Sequence, residues 1–167
     1  AALCRFFFIF FLVKNKYYSY DEVQKKLEYY CSYQERCHYE VFNKIMQLNS
    51  NIDDANKIIT KLIDDGYLNE TRFSKEFTRG KFNHKNWGRI RIRIELKKRK
   101  ISKKNIEIGL DELDENNYIK KFNELFERQL DKQNHKIDIY SKKKIFDYFK
   151  YRGWENDMVF NKKNALK

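Results

Sequence analysis

Not one of the 167 residues is proline, and only five are glycine. Proline stops helices because its ring removes a backbone donor and collides with the preceding turn; glycine weakens them because ordering it loses the most entropy. A chain almost free of both, and rich in Lys, Glu, Ile and Leu, can run as nearly continuous helix. Hydrophobic residues make up 41% of it and aromatic residues 17%, enough to bury a core, so it is not a disordered basic tail. The expected fold class is all-α. The length allows one core or a short array of small ones.

Helix punctuation supports an array. Ser19 and Glu22 have the spacing of a capping box, in which hydroxyl and carboxylate satisfy orphan backbone donors, and Val23, Leu27 and Tyr30 follow at helical spacing. Val41, Ile45 and Leu48 mark a second helix. Ser50 or Asn51 can cap a third, carrying Ile52, Ile58, Ile59, Leu62 and Ile63. Gly66 suits its end, where positive φ is needed. Asn69 caps the next helix, with Phe73 and Phe77 on one stripe, and 131–138 reads as a loop. Ile52, Ile101 and Trp154 each open a polar turn ahead of an apolar pair (Ile58 and Ile59, Ile106 and Ile108, Val159 and Phe160). A period near 50 residues predicts three tandem three-helix repeats, each packed on its neighbours. The boundaries expected are 19–68, 69–117 and 118–167, the second being the basic repeat.

The charge is local. Between Arg72 and Lys104 there are fourteen Lys or Arg and two Glu, and the rest of the chain balances, so this window carries the whole net charge of +12. Such a patch raises the encounter rate with polyanions or acidic proteins. Its centre, Arg89 to Leu96, alternates basic or acidic residues with Ile and Leu. Alternation alone is a strand signal, but a lone strand needs a partner and none is convincing nearby. As a helix, Trp87, Ile90 and Ile94 share one side while Ile92 and Leu96 take the other. That predicts a helix wedged between two layers. Arg89 and Arg93 fall with Lys100 on one flank, Arg91 and Lys98 on the other. Few acids lie at i±4 to neutralise these cations, which favours a binding role for Arg89, Arg91, Arg93, Lys97, Lys98 and Arg99 over a merely solvated face. Arginine suits bidentate contact with carboxylate or phosphate, while lysine acts as a point charge. Reversing Arg89, Arg91 and Arg93 together is expected to abolish binding without unfolding. Arg72 is expected to pair with Asp64, Asp65 or Glu76. Tyr29, Tyr30 and Tyr33 can stack on bases, but core packing is the plainer expectation, as it is for Trp87 and Trp154.

Other chemistry is thin. Cys4, Cys31 and Cys37 are an odd set without paired spacing, which suits a reducing compartment such as the cytoplasm. Placed on one helix, Cys31 and Cys37 point about 120° apart, and no second ligand pair follows, so no metal is expected. His84 and His135 stand alone. The acids at Asp64-Asp65, Asp111-Glu112 and Asp114-Glu115 sit near helix ends among lysines rather than converging on a pocket. There is no phosphate-cradling glycine loop and no nucleophile with a base. Neither catalysis nor a cofactor is expected. The apolar run Phe6 to Val13 is too short to span a bilayer, and Lys14-Asn15-Lys16 stands where a signal peptide needs small residues. Residues 1–18 are read as a hydrophobic extension outside the folded array.

Four stretches, in order, resemble the RecX family of bacterial recombination regulators. Tyr30-Cys31-Ser32-Tyr33-Gln34-Glu35-Arg36-Cys37-His38 is similar to the opening of the first repeat in one branch. Gly66-Tyr67-Leu68-Asn69-Glu70-Thr71-Arg72-Phe73 resembles the link into the second. Trp87-Gly88-Arg89-Ile90-Arg91, with Glu95-Leu96 and Ile101-Ser102, resembles that repeat's signature helix, and Arg152-Gly153-Trp154 a turn of the third. Many members carry glycine where Lys100 precedes Ile101. The resemblance spans Tyr20 to Leu166. It implies an elongated crescent of three three-helix repeats lodged in the groove of the RecA–DNA filament, restraining RecA's ATPase and strand exchange in recombination, DNA repair and the SOS response. The implied partners are the RecA filament and the single-stranded DNA within it, with weak binding to free DNA, no membrane and a monomeric protein. The residues expected to meet RecA or DNA are Arg72, Arg79, Lys85, Arg89, Arg91, Arg93, Lys97, Lys98 and Arg99. The alternative is a helix-turn-helix transcriptional regulator that reads duplex DNA.

Overall fold

The computed structural model describes residues 18–48, 51–135 and 138–164. The apolar run at Phe6 to Val13, Cys4, the alternative cap Ser50 and the end of the resemblance at Leu166 lie outside them. Among the described residues there are nine helices: α1 (Tyr20–Tyr33), α2 (His38–Gln47), α3 (Ile52–Asp64), α4 (Glu70–Lys85), α5 (Arg89–Lys98), α6 (Lys103–Leu110), α7 (Glu115–Asp131), α8 (Ile139–Arg152) and α9 (Asn156–Asn164). The all-α expectation holds, and Arg89 to Lys98 is helical rather than extended. The turn between α6 and α7 lies at 111–114, ahead of residue 117.

Local chemistry sets the helix starts. Ser19 and Glu22 form the capping box: the Ser19 N–H donates to the Glu22 carboxylate at 2.8 Å, and the Glu22 N–H to the Ser19 hydroxyl at 3.4 Å. Asn51, Asn69, Ser102, Asp114 and Asp138 each accept from a backbone N–H of the following first turn. Each such cap contributes about 1 kcal/mol. Gly66 takes φ 76° after α3.

Two cores result. Val23, Leu27, Val41, Ile45, Ile58 and Leu62 close α1–α3 around one. Helices α4–α9 share the other, an aromatic cluster in which Tyr118 and Trp154 rings lie 4.6 Å apart and Phe122 and Phe149 rings 4.9 Å apart. The second and third triplets of helices are therefore fused through a common interior.

The two junctions differ in kind. Between the first and second triplets, Arg72 Nε meets Glu35 Oε1 at 2.5 Å, Arg99 Nε meets Glu40 Oε1 at 3.1 Å, and His38 Nδ1 lies 3.2 Å from Glu70 Oε1. Between the second and third, the contact is backbone to backbone: Gly88 N–H donates to Arg152 O at 2.9 Å and Ile90 N–H to Gly153 O at 3.1 Å. Trp154 Nε1–H adds a bond to Asn86 O at 3.0 Å.

Three expectations change. Ile52 is not the counterpart of Ile101 and Trp154. It is the first residue of α3, at 62% exposure, whereas those two precede their helices and are buried. Helix α5 is not wedged between layers: Ile92 and Leu96 are buried, but Ile90 and Ile94 face solvent. Cys31 and Cys37 do not share a helix, since Cys37 stands ahead of α2. Both are buried, and burial pushes their thiols up to about 11, so they stay protonated.

The turn at Lys100 explains what a glycine would do there. Lys100 has φ 59°. Ile101 N–H bonds to Leu96 O at 3.2 Å and Lys100 N–H to Lys97 O at 2.9 Å, the two bonds of a Schellman motif. A side chain in this left-handed region strains the backbone. Lys100→Gly is expected to stabilise the fold by about 1 kcal/mol, seen as a higher urea midpoint at unchanged slope. An unchanged or lower midpoint would contradict the strain argument.

Candidate functional site

The basic window folds into α4, α5 and the turn after them, and most of its arginines are occupied. Arg72 donates from Nη2 to Gly66 O at 3.0 Å besides holding Glu35. It is structural, as anticipated, but its carboxylate is Glu35 and not Asp64, Asp65 or Glu76, because the guanidinium reaches back across the junction to the residues just after α1. Arg79 pairs with Glu76. Arg89 holds Glu115 at 2.6 Å and lies 4.0 Å over the Tyr118 ring, tying α5 to α7. Arg91 donates to Tyr151 O at 2.6 Å and sits between the Trp87 and Tyr151 rings. Arg93 pairs with Glu107, whose carboxyl this hydrogen bond holds below its usual range. Arg99 joins Glu40 to Glu95. Lys98 pairs with Glu95 at 2.9 Å; that bond first, and Arg99 after it, outweigh burial and hold the Glu95 carboxyl low.

Apart from Glu76 and Glu95, the acids that hold these arginines come from outside the arginines' own helices. These pairs are partly exposed, and solvent screening leaves each with little net contribution to stability. Their effect on function is larger: an arginine already held by a carboxylate has fewer donors left for a ligand. Reversing Arg89, Arg91 and Arg93 together would break contacts to α6, α7 and α8, so it would not leave the fold untouched.

Two places among the described residues combine exposed apolar side chains with cations of this window. One is the outward side of α5, where Ile90 and Ile94 are 43% and 47% exposed beside Lys97 and Lys98. An isoleucine-and-lysine face suits an acidic protein surface with an apolar centre. It offers base edges little to hydrogen-bond, unlike a recognition helix.

The other is a cleft of about 610 Å³ between the end of α1 and the side of α4. Lys81, His84 and Lys85 line it with Phe77 and Tyr33. Tyr29 and Tyr33 are 74% and 78% exposed rather than core, because Val23, Leu27 and Cys31 fill the buried side of α1. Tyr30 is half-buried, with the Arg36 guanidinium 4.0 Å over its ring. Trp87 is also only half-buried, packed on Phe77 at 6.4 Å. Trp154 is the core anchor expected.

Of the cleft residues, only Lys85 was among the nine candidates. Phe77, Lys81 and Lys85 recur at i, i+4 and i+8 on α4, a signal present in the sequence. The meeting with Tyr33 is tertiary and has no such signature. Among the described residues no group of three or more His, Cys, Asp or Glu is placed to hold a metal ion. No described helix is long and apolar enough to cross a membrane.

Comparison with known proteins adds to this geometry. Residues 69–110 match RecX, second three-helix domain, a segment spanning α4 to α6 and containing all nine candidate cations. The crystal structure of RecX from Lactobacillus salivarius has 23% identity and a TM-score of 0.73, over 87% of this chain and 97% of that one. A crystal structure of regulatory protein RecX has 15% identity and a TM-score of 0.76, over 87% of this chain and 73% of that one. No curated protein matches by sequence. These two structures share this chain's fold, and within that fold residues 69–110 carry the sequence of the second three-helix domain of RecX.

Proposed function

We propose that this protein is a non-catalytic regulator that binds the RecA–DNA filament and inhibits RecA's ATPase and strand exchange, acting in the cytoplasm as a monomer in recombination and repair. The observation that carries this reading is the match of residues 69–110 to the second RecX domain, in a helix triplet whose α5 turns Ile90, Ile94, Lys97 and Lys98 outward. Lys97 supplies most of the attraction to acidic surfaces of the filament, and the exposed Lys98, paired with Glu95, adds to it. Arg89, Arg93 and Arg99 hold the helices that display them. The repeats at 19–68, 69–117 and 118–167 set the span.

The test is RecA's single-strand-dependent ATPase, titrated with the protein well below one molecule per RecA. Inhibition is expected, and Lys97→Glu with Lys98→Glu should weaken it with unchanged helical circular dichroism, most clearly at low salt. An active RecA unaffected by folded wild-type protein would end the proposal.

A further inference from the structure

The cleft between α1 and α4 contains a glycine that packing does not explain. Gly80 lies inside α4, has an ordinary helical backbone, and an added Cβ would meet nothing within 4 Å. Elsewhere glycine is required: at Gly109 a Cβ would come within 2.8 Å of Ser74 O. In a helix interior glycine is the least favourable residue after proline, so at Gly80 the fold loses stability without gaining a contact. Gly80 lines the cleft, where Lys81 and Lys85 flank it on α4 and Tyr33 faces it from α1. A missing side chain there leaves room for something to approach the helix backbone.

The surroundings narrow the occupant. Tyr29 and Tyr33, one turn apart, form an exposed aromatic row on α1 with Lys25 and Lys26 further up the same helix. The row runs into the cleft, where Lys81, His84 and Lys85 wait. The two acids in the cleft, Glu35 and Glu76, are held by Arg72 and Arg79. Lys81 lies 5.0 Å from the Phe77 ring and 5.4 Å from the Trp87 ring, and neither Lys81 nor Lys85 has a carboxylate partner among the described residues. Aromatic faces spaced along a cationic groove are what unstacked bases and their phosphates require. An acidic peptide would use the lysines but has no need of two exposed tyrosines in line.

We infer that the α1–α4 cleft binds single-stranded DNA, with a base stacked on Tyr33, phosphates on Lys81 and Lys85, and the backbone passing close to Gly80. The choice of DNA among polyanions rests on the filament reading; the site itself rests on the geometry. The α5 face and this cleft then divide the work, one meeting protein and the other nucleic acid.

The experiment uses the full chain, without RecA, and a fluorescein-labelled oligothymidylate read by anisotropy. Tyr33→Ala is expected to lower affinity about tenfold while Tyr33→Phe stays near wild type, since stacking needs the ring and not the hydroxyl. Lys81→Gln with Lys85→Gln should reduce the slope of log affinity against log salt by about 1.4, two phosphate contacts on a single strand. Gly80→Leu is the sharpest arm. It should raise the thermal midpoint by about 2–4 °C and still weaken oligonucleotide binding. Wild-type protein that does not bind the oligonucleotide, or binding that ignores Tyr33→Ala and Gly80→Leu, overturns the cleft assignment and leaves the ATPase test of the filament reading standing. Wild-type protein that fills the cleft with oligonucleotide but leaves RecA's ATPase unchanged keeps the site and removes the filament.

Discussion

Gly88→Ala is expected to destabilise the protein by about 3–5 kcal/mol, from forced overpacking together with lost hydrogen bonds. Its φ of −82° is open to any residue, so the cost does not come from backbone strain at residue 88. It comes from the other strand of the junction. A Cβ at Gly88 would lie 2.4 Å from Gly153 O and 2.7 Å from Trp154 Cα. Both are backbone atoms and cannot swing aside, so the start of α5 and the end of α8 must part. Parting them stretches the bonds Gly88 N–H to Arg152 O and Ile90 N–H to Gly153 O.

Gly153→Ala meets the same obstacle from the opposite side, 2.3 Å from Arg91 N, and adds the strain of φ 73°. The pair makes the test specific. If one close approach underlies both effects, the double variant should cost clearly less than the sum of the singles, because the first substitution has already opened the junction. Strict additivity in urea denaturation would show that the two glycines act separately.

Much of this architecture was legible because it is written locally. A cap needs a hydroxyl, carboxylate or amide at one position and a helix after it, so Ser19, Asn51 and Asn69 could be read directly. The helical choice for Arg89 to Lys98 followed from the lack of a strand partner. Which side of that helix is buried did not, since Ile90, Ile92, Ile94 and Leu96 populate both sides equally and only the packed structure selects Ile92 and Leu96. The partners of the arginines were hidden for the same reason: Glu107, Glu115, Glu35 and Glu40 lie 14, 26, 37 and 59 residues from Arg93, Arg89, Arg72 and Arg99. A rule based on i±4 neighbours counts none of them. So a window with a charge excess of twelve in sequence becomes a scaffold of clasped arginines in the fold, and its display to a partner falls mainly to lysines. The aromatic row at Tyr29 and Tyr33 was hidden by its resemblance to core spacing, which the opposite side of α1 supplies instead.

Trp154→Ala should be the most damaging side-chain truncation, costing about 4–5 kcal/mol for a large aromatic removed from a closed core. The indole is 1% exposed and its ring lies within 4.6–6.3 Å of Tyr118, Phe122, Phe149 and Phe82, side chains drawn from α4, α7 and α8. Its Nε1–H also satisfies Asn86 O, in the left-handed turn that ends α4. Trp154→Phe keeps most of the packing and loses that bond, so it should cost about 1–3 kcal/mol. The location of the damage is as informative as its size. Helices α4–α9 share one core and α1–α3 another, joined by Cys37, which precedes α2 but is buried in the α4–α9 core, and by partly exposed ion pairs that contribute little each. Native-state hydrogen exchange should therefore show amide protection in Trp154→Ala falling across α4–α9 while amides in α1–α3, such as those of Leu27 and Ile45, keep theirs. A uniform fall across all the described helices would mean that the junction couples the two cores into a single cooperative body, and that Cys37, Arg72 and Arg99 together transmit far more free energy than one small buried side chain and exposed ion pairs ordinarily carry.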